Sequence, residues 1–443
     1  MGLAVRGALW AIGYLLVALS PLAFALAGPG RPGRGFWIDF SVALGFVGLA
    51  VMGLQFAVTA RFKSAMAPFG IDLVLRFHRQ ITMVAVALIV AHPLILFVVN
   101  PLYLRRLHPS SPHPAAVLGA LSLLALLVLT ALSVWRKRLG LGYELWRTTH
   151  WMLGVAAVGL AAAHVVQVGY YVSLPWKQAL WLTMAGGTVW LLVYMRVVRP
   201  LRARGRPYRV AEVRPERGGA VTLALAAEGH PGLRFLPGQF VWLSIRGTPG
   251  HPTPVGAEPH PFSLSSSALA PGRPELTVKA LGDYTTALAE VPPGAYAVLD
   301  GPYGAFTSER HEGAGFVFVA GGVGVTPLMS MARTLADYED RRPVLFIYAN
   351  KRWEDVTYRE ELERLARRID LRVVHVLEEP PDGWTGERGF VTAEVLERHL
   401  PPHLGRYQYF VCGPDPMMDA VVAALVAHQV PAERIHTERY NLV

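Results

Sequence analysis

Residues 78–92 read HRQITMVAVALIVAH, and residues 150–164 read HWMLGVAAVGLAAAH. Each stretch opens and closes on histidine, and both gaps are 14 residues. A helix turns about 100° and rises about 1.5 Å per residue, so 14 steps return to within about 40° of the starting face and climb about 21 Å. Each pair therefore shares one helix face at two heights.

Outward from these stretches the chain is apolar in blocks. A membrane span needs about 20 mostly apolar residues to cross about 30 Å of hydrocarbon. Six windows qualify, at 7–27, 41–60, 81–100, 115–134, 151–170 and 178–195, and none contains Asp, Glu, Lys or Arg. The histidine stretches fall on the third and fifth helices, which run in the same direction in an alternating bundle. His78 is thus level with His150, and His92 with His164. Two facing imidazoles at one height are the ligand set of a low-spin, six-coordinate haem iron. Two heights predict two stacked haems. Ligands about 21 Å apart on one helix share no ion, and polar groups inside a membrane are costly and generally functional. His108 and His113, in a loop, read as solvated side chains.

Composition excludes several classes. Of 443 residues, 52% are hydrophobic, 17% are charged and one is cysteine, which excludes disulfide scaffolds, thiolate zinc sites and four-cysteine iron–sulfur clusters. The net charge of +10 is unevenly spread: residues 1–206 hold 19 Lys/Arg and three acids (Asp39, Asp72, Glu144), whereas 207–443 hold 23 basic and 29 acidic residues. The positive charge belongs to the apolar half, which argues against nucleic-acid binding. Segments on the N-terminal side of the bundle, Arg61, Lys63 and Arg136 among them, hold 14 Lys/Arg, and the opposite loops, with Arg31, Arg34, Arg105, Arg106 and Lys177, hold five. This predicts a multi-pass cell-membrane protein with both termini and the polar half in the cytoplasm. Ala25 and Ala27 resemble a signal cleavage site, but the apolar core before them is longer than a signal usually has.

After a basic linker at 197–206, short strands are expected at 208–213, 220–226, 239–245, 275–280 and 295–299, a pattern that suggests a small antiparallel barrel. Its landmarks are PGQF (237–240), HPFSLSS (260–266), KALGDYTT (279–286) and GPYG (301–304). They suit a flavin: Phe262 covers the ring, Ser263 reaches its N5 edge, and Lys279 with the helix start after Gly282 takes a pyrophosphate. Residues 311–443 alternate strands and helices, as in a parallel, doubly wound sheet. A strand at 315–320 runs into GGVGVTP (321–327), and one at 409–412 into CGPDPMM (412–418). Glycines there let backbone N–H groups approach a dinucleotide at a helix N-terminus. The strand 344–349 ends in Asn350-Lys351-Arg352 with no acid at its tip, which favours NADPH over NADH.

With these residues in hand, the chain resembles the ferric reductase/NADPH oxidase superfamily over nearly its full length. The paired histidine helices match that family's haem motif, HPFS and KALGDYT its FAD motif, and GGVGVTP and CGPDPMM its NADPH motifs. The resemblance implies a six-helix transmembrane di-haem domain (1–203), an antiparallel β-barrel FAD domain (204–310) and a doubly wound α/β NAD(P)H domain (311–443). It implies that His78 and His150 bind one haem b, and His92 and His164 the other. FAD contacts would come from His260, Pro261, Phe262, Ser263, Lys279, Gly282 and Thr285, with His260 standing where many ferredoxin–NADP reductases have Arg. NADPH contacts would come from Gly321, Gly322, Gly324, Thr326, Pro327, Lys351, Arg352, Cys412, Gly413, Pro414 and Met417. Cys412 would lie near the nicotinamide, and Tyr440 in ERYNLV would stack on the flavin, which with Ser263 makes the catalytic set. The expected function is electron transfer from NADPH through FAD and two haems to an outer acceptor, either ferric chelate or oxygen, the latter giving superoxide. The alternative is a membrane redox module that donates to a protein partner or to quinone.

Overall fold

The computed structural model describes residues 3–27, 32–60, 70–110, 112–247 and 252–440. Arg31, Arg61 and Lys63, which entered the charge count, lie outside them. The chain divides into two compact units, one spanning Met1–Pro68 and Leu73–Arg199, the other mainly Pro200–Leu442.

Among the described residues, the first unit contains six helices long and apolar enough to cross a membrane. They are α1 (Leu3–Leu26), α2 (Phe36–Val58), α3 (Gly70–Val99), α4 (Pro114–Val134), α5 (Tyr143–Val168) and α6 (Pro175–Val193). Helices α3 and α5 start well before their apolar windows, so His78 and His150 are both inside regular helix. Helix α3 continues through Pro93, which lacks the N–H that would serve the Ile89 carbonyl. Next to it, Ser41 Oγ donates to the carbonyl of His92 at 2.7 Å. Helices α4 and α5 pack along their length, whereas α3 and α5 touch little directly. Phe46, Leu49, Met52, Ala85, Leu126, Ala157, Val158 and Trp181 form the core. Beyond α6 the chain stays helical through a π turn at Tyr194–Val198 and a short helix Arg199–Arg204, where the sequence predicts a basic linker.

The second unit holds two sheets. Strands β1 (Pro207–Pro215), β2 (Ala220–Ala227), β3 (Phe240–Arg246), β4 (His260–Ser263), β5 (Glu275–Lys279) and β6 (Tyr296–Tyr303) lie in the order β4-β3-β6-β1-β2-β5, all pairs antiparallel. A bridge between Leu264 and Leu276 joins the two edges and closes the barrel. Alternate residues such as Leu223, Leu225, Leu243, Ile245 and Leu276 fill it, as period-2 side-chain alternation requires. The other sheet is parallel: β7 (Gly315–Gly321), β8 (Val344–Asn350), β9 (Leu371–Leu377), β10 (Glu387–Arg388), β11 (Tyr407–Cys412) and β12 (Ile435–Glu438), in the order β10-β9-β8-β7-β11-β12. Its strands are near-continuous apolar runs buried on both faces, the pattern of a sheet covered by helices. These are α7 (Val325–Asp337), α8 (Arg359–Leu365), α9 (Ala393–His399) and α10 (Asp415–Ala427). Strand order reverses between β7 and β11, the switch point where such sheets open a crevice for a ligand.

Candidate redox sites

In the membrane unit the four histidines meet in two pairs. The ring centres of His78 and His150 are 6.3 Å apart, and those of His92 and His164 are 6.5 Å apart. A metal–imidazole bond of about 2.0 Å on either side sets two ring centres about 6 Å apart, so each gap has room for one iron. The neighbouring helices fix the rings. His78 Nδ1–H donates to Gln55 Oε1 at 2.9 Å, and Gln55 is itself anchored by donating to Tyr14 and Val51. His92 Nδ1–H donates to the Ser41 carbonyl at 2.9 Å, and His164 Nδ1–H to the Ala115 carbonyl at 2.6 Å. Ser133 spends its proton on Leu129, so its oxygen accepts from His150 Nδ1–H at 3.0 Å. All four rings are therefore held in one tautomer, with the Nε2 lone pair left over. This is the support a ligating histidine needs.

Two glycines make this approach possible. A Cβ at Gly119 would lie 2.9 Å from His164 Nδ1, and one at Gly45 would lie 3.2 Å from the His92 ring. Helices α2 and α4 thus act as backing plates for α3 and α5. Sequence reasoning missed Ser41, Gln55 and Ser133. The available signal was polarity inside otherwise apolar spans, and Ser41 and Gln55 repeat the histidines' own spacing.

In the barrel, His260, Pro261, Phe262 and Ser263 are strand β4 itself, paired to β3 from Leu243 to Phe240. His260 and Phe262 share a strand face, and Tyr284 lies parallel to both, 3.7 Å from the first ring and 6.4 Å from the second. The HPFS and KALGDYT segments therefore meet through Tyr284, a residue the sequence reading did not single out. Lys279 ends β5, and Gly282 caps the short helix Asp283–Ala287. Thr285 Oγ1 accepts from the backbone N–H of Leu281 and Gly282 at 2.9 and 3.0 Å, so its hydroxyl holds the turn. Tyr440 is 39% exposed overall, yet its hydroxyl is enclosed between Ser263 Oγ at 3.1 Å and Thr326 Oγ1 at 2.9 Å. Burial of the hydroxyl, followed by Cys412 and Glu438, raises its pKa against the lowering effect of these two hydrogen bonds. Tyr440 thus touches barrel and nucleotide lobe together.

At the switch point of the parallel sheet, GGVGVTP follows β7 and CGPDPMM follows β11, with Ala320 beside Cys412. The two turns abut so closely that only glycine fits at Gly324, where a Cβ would lie 2.3 Å from the Cys412 carbonyl oxygen. A Cβ at Gly321 would meet Pro414 and Met417, and one at Gly413 would meet Met417. Gly322 has a positive φ of 52°. Thr326 and Pro327 begin α7, and Thr326 Oγ1 donates to the Val323 carbonyl at 3.1 Å. Lys351 and Arg352 follow β8, but they are not alone there: Glu379 takes Lys351 Nζ at 3.2 Å and Arg352 Nε at 2.8 Å. An acid therefore does stand at the β8 tip, contributed by the end of β9 and not visible in the local sequence.

Comparison with known proteins agrees with this layout. Residues 44–161 match the ferric reductase-like transmembrane component, and residues 318–423 match the oxidoreductase NAD-binding domain. The chain is 32% identical over 242 residues to the propane 2-monooxygenase reductase component of Rhodococcus jostii, covering 53% of this chain and 63% of that protein. It is 30% identical over 242 residues to the Mycolicibacterium smegmatis counterpart, covering 53% and 67%. It is 33% identical over 190 residues to NADH–cytochrome b5 reductase 1 of Arabidopsis thaliana, covering 42% and 66%. The chain belongs to the oxidoreductases that fuse a ferric reductase-like transmembrane component to a ferredoxin–NADP reductase-like FAD/NAD(P)H module.

Proposed function

We propose that this protein carries electrons from NAD(P)H in the cytoplasm across the cell membrane, through FAD and two b-type haems, to an acceptor on the outer side. The single observation that carries the reading is the geometry of the two histidine pairs, 6.3 and 6.5 Å between ring centres, with every Nδ1 anchored. Among the described residues, no three His, Cys, Asp or Glu gather around an ion. A metal between two imidazoles here therefore needs equatorial ligands from elsewhere, as a porphyrin provides. His78 and His150 would hold one iron, His92 and His164 the other.

When bound, nicotinamide supplies a hydride, flavin takes it as a pair and releases single electrons, and haem iron takes them one at a time. The chain's own groups bind and orient. Phe262 and Ser263 would line the flavin ring, with Tyr284 and His260 stacked beside it. Lys279 and the N–H groups after Gly282 would meet the pyrophosphate. The turns at Gly321–Gly324 and Cys412–Pro414, packed against each other, would bring the nicotinamide to the same edge as Ser263, where Tyr440 now sits. The hydride brings one proton with its two electrons, so that proton would pass to solvent as single electrons leave for haem, and no general base is assigned to it.

Ferric chelate or oxygen is the proposed acceptor. A protein acceptor is the second reading, favoured by the relatives named as reductase components of monooxygenases. Purified full-length protein, given NADH or NADPH and an acceptor series, is expected to show b-type absorption bands that reduce with the coenzyme and reoxidise with the true acceptor. Flavin that reduces in protein devoid of b-type bands, despite ample haem during expression, overturns the membrane part of the reading.

A further inference from the structure

In a doubly wound sheet the tip of the strand after the glycine-rich turn bears on coenzyme choice, and the charge at the β8 tip differs from the sequence expectation. Strands β8 and β9 continue as a pair past their ends: Glu378 N–H donates to the Asn350 carbonyl at 3.1 Å, and Glu379 N–H to the Lys351 carbonyl at 2.8 Å. This backbone register delivers the Glu379 carboxylate between the two cations, one oxygen to Lys351 and the other to Arg352. Glu354 and Asp355 also act on Arg352 from the next turn. Around the tip, Lys351 and Arg352 thus face Glu379, with Glu354 and Asp355 beside them. Arg352 and Lys351 hold Glu379 ionised, below the usual carboxylate range.

In a doubly wound sheet the adenosine ribose rests at the tip of the strand after the glycine-rich turn, and an acid there accepts from the 2′-hydroxyl. A 2′-phosphate carries about −1.5 to −2 charge and would have to displace Glu379 from both cations inside a net-negative surround. A ribose diol needs no displacement and finds an acceptor already oriented. We infer that Glu379 is the specificity-determining residue of the coenzyme site: it occupies the Lys351/Arg352 pair, turns away a 2′-phosphate and makes NADH the preferred hydride donor. The inference rests on the nicotinamide reading above.

The test is the anaerobic rate of flavin reduction in full-length protein, with NADH and NADPH each varied. The wild type is expected to favour NADH in kcat/KM. Glu379→Gln should shrink that preference by about tenfold, chiefly by lowering KM for NADPH. Glu378→Gln, one residue away and outside the ion pair, should change the ratio by less than about twofold. A wild type that prefers NADPH, or a Glu379→Gln ratio unchanged from wild type, overturns the role of Glu379. Failure of both coenzymes to reduce bound flavin overturns the nicotinamide reading itself, a result distinct from the other two.

Discussion

The membrane unit and the nucleotide lobe both hold candidate redox sites, but they assemble them in opposite ways. In the membrane unit, each candidate ligand pair uses two helices that each carry one ligand of both pairs, and the periodicity of one helix sets both heights. In the nucleotide lobe, the candidate contacts come from the ends of several strands, β7, β8 and β11, and these parts are distant in sequence. The lesson is one of locality. A helix places its own side chains relative to one another, whereas a parallel sheet places strand tips only through crossovers. Damage should therefore stay local in the first unit and spread in the second.

The largest expected effect tests the first half of that contrast. His92→Ala should abolish one b-type haem and leave the other, because His78, His150 and their anchors Gln55 and Ser133 do not involve His92. The absorption of purified protein should fall to about half per flavin, with flavin still reduced by coenzyme. Loss of both haems would show that the two levels are cooperative and that the locality argument fails.

The second prediction tests spread. Arg333 on α7 is 12% exposed and binds both oxygens of Glu361 at 2.7 Å, Glu275 Oε2 at 2.9 Å and the Ser265 carbonyl at 2.7 Å. One side chain thereby ties the nucleotide lobe to the barrel. Burial alone would lower its pKa, but Glu361, Tyr358 and Glu275 outweigh that and keep it charged. Arg333→Met strands the Glu361 carboxylate, leaves Glu275 only Arg214 at 3.7 Å, and should cost about 3 kcal/mol. It should also lower both flavin retention and coenzyme turnover, read by thermal unfolding and by flavin content. A change confined to one lobe would break the contrast.

What was legible in the sequence follows the same division. The six spans and both histidine pairs were readable because apolar runs and 14-residue gaps are local signals. The barrel and the doubly wound sheet were readable as alternating strand patterns, and their glycine turns marked the switch point. Tyr284 escaped notice because it sits on a short helix and its partner His260 lies 24 residues earlier on a strand. Glu379 escaped for a stronger reason: nothing within 20 residues of Arg352 announces it, and only β8–β9 register brings them together. Ser41, Gln55 and Ser133 escaped because serine and glutamine inside a span are compatible with plain helix packing until a histidine is found opposite.

Those anchors give a third, smaller test. Gln55→Leu removes the acceptor for His78 Nδ1–H, whereas Ser41→Ala leaves the backbone carbonyl that serves His92. The first should weaken haem retention at the His78/His150 level by about 10- to 100-fold, as loss of a ligand's outer partner generally does. The second should change the His92/His164 level little. Haem loss on dilution separates them. Equal losses would mean that the Ser41 hydroxyl, which also donates to the His92 carbonyl, matters as much as the carbonyl acceptor.

The smallest expected effect is at Tyr440, whose hydroxyl touches both lobes. Thr326 donates to Val323, so it accepts from the Tyr440 hydroxyl, which in turn accepts from Ser263. Tyr440→Phe keeps the ring and deletes this relay, at a cost of about 1 kcal/mol. It also frees the Ser263 proton, which is the one expected to face flavin N5. If the Tyr440 ring covers the flavin, flavin reduction by coenzyme should then change by less than about threefold, because displacing that ring would cost ring burial more than one hydrogen bond. Tyr440→Ala removes the ring as well and should speed reduction while loosening discrimination between NADH and NADPH, since the incoming nicotinamide no longer competes with an aromatic for the same face. If Tyr440→Phe instead matches Tyr440→Ala, the hydroxyl relay between Ser263 and Thr326 controls access, and the two lobes communicate through a hydrogen bond in place of a stacked ring.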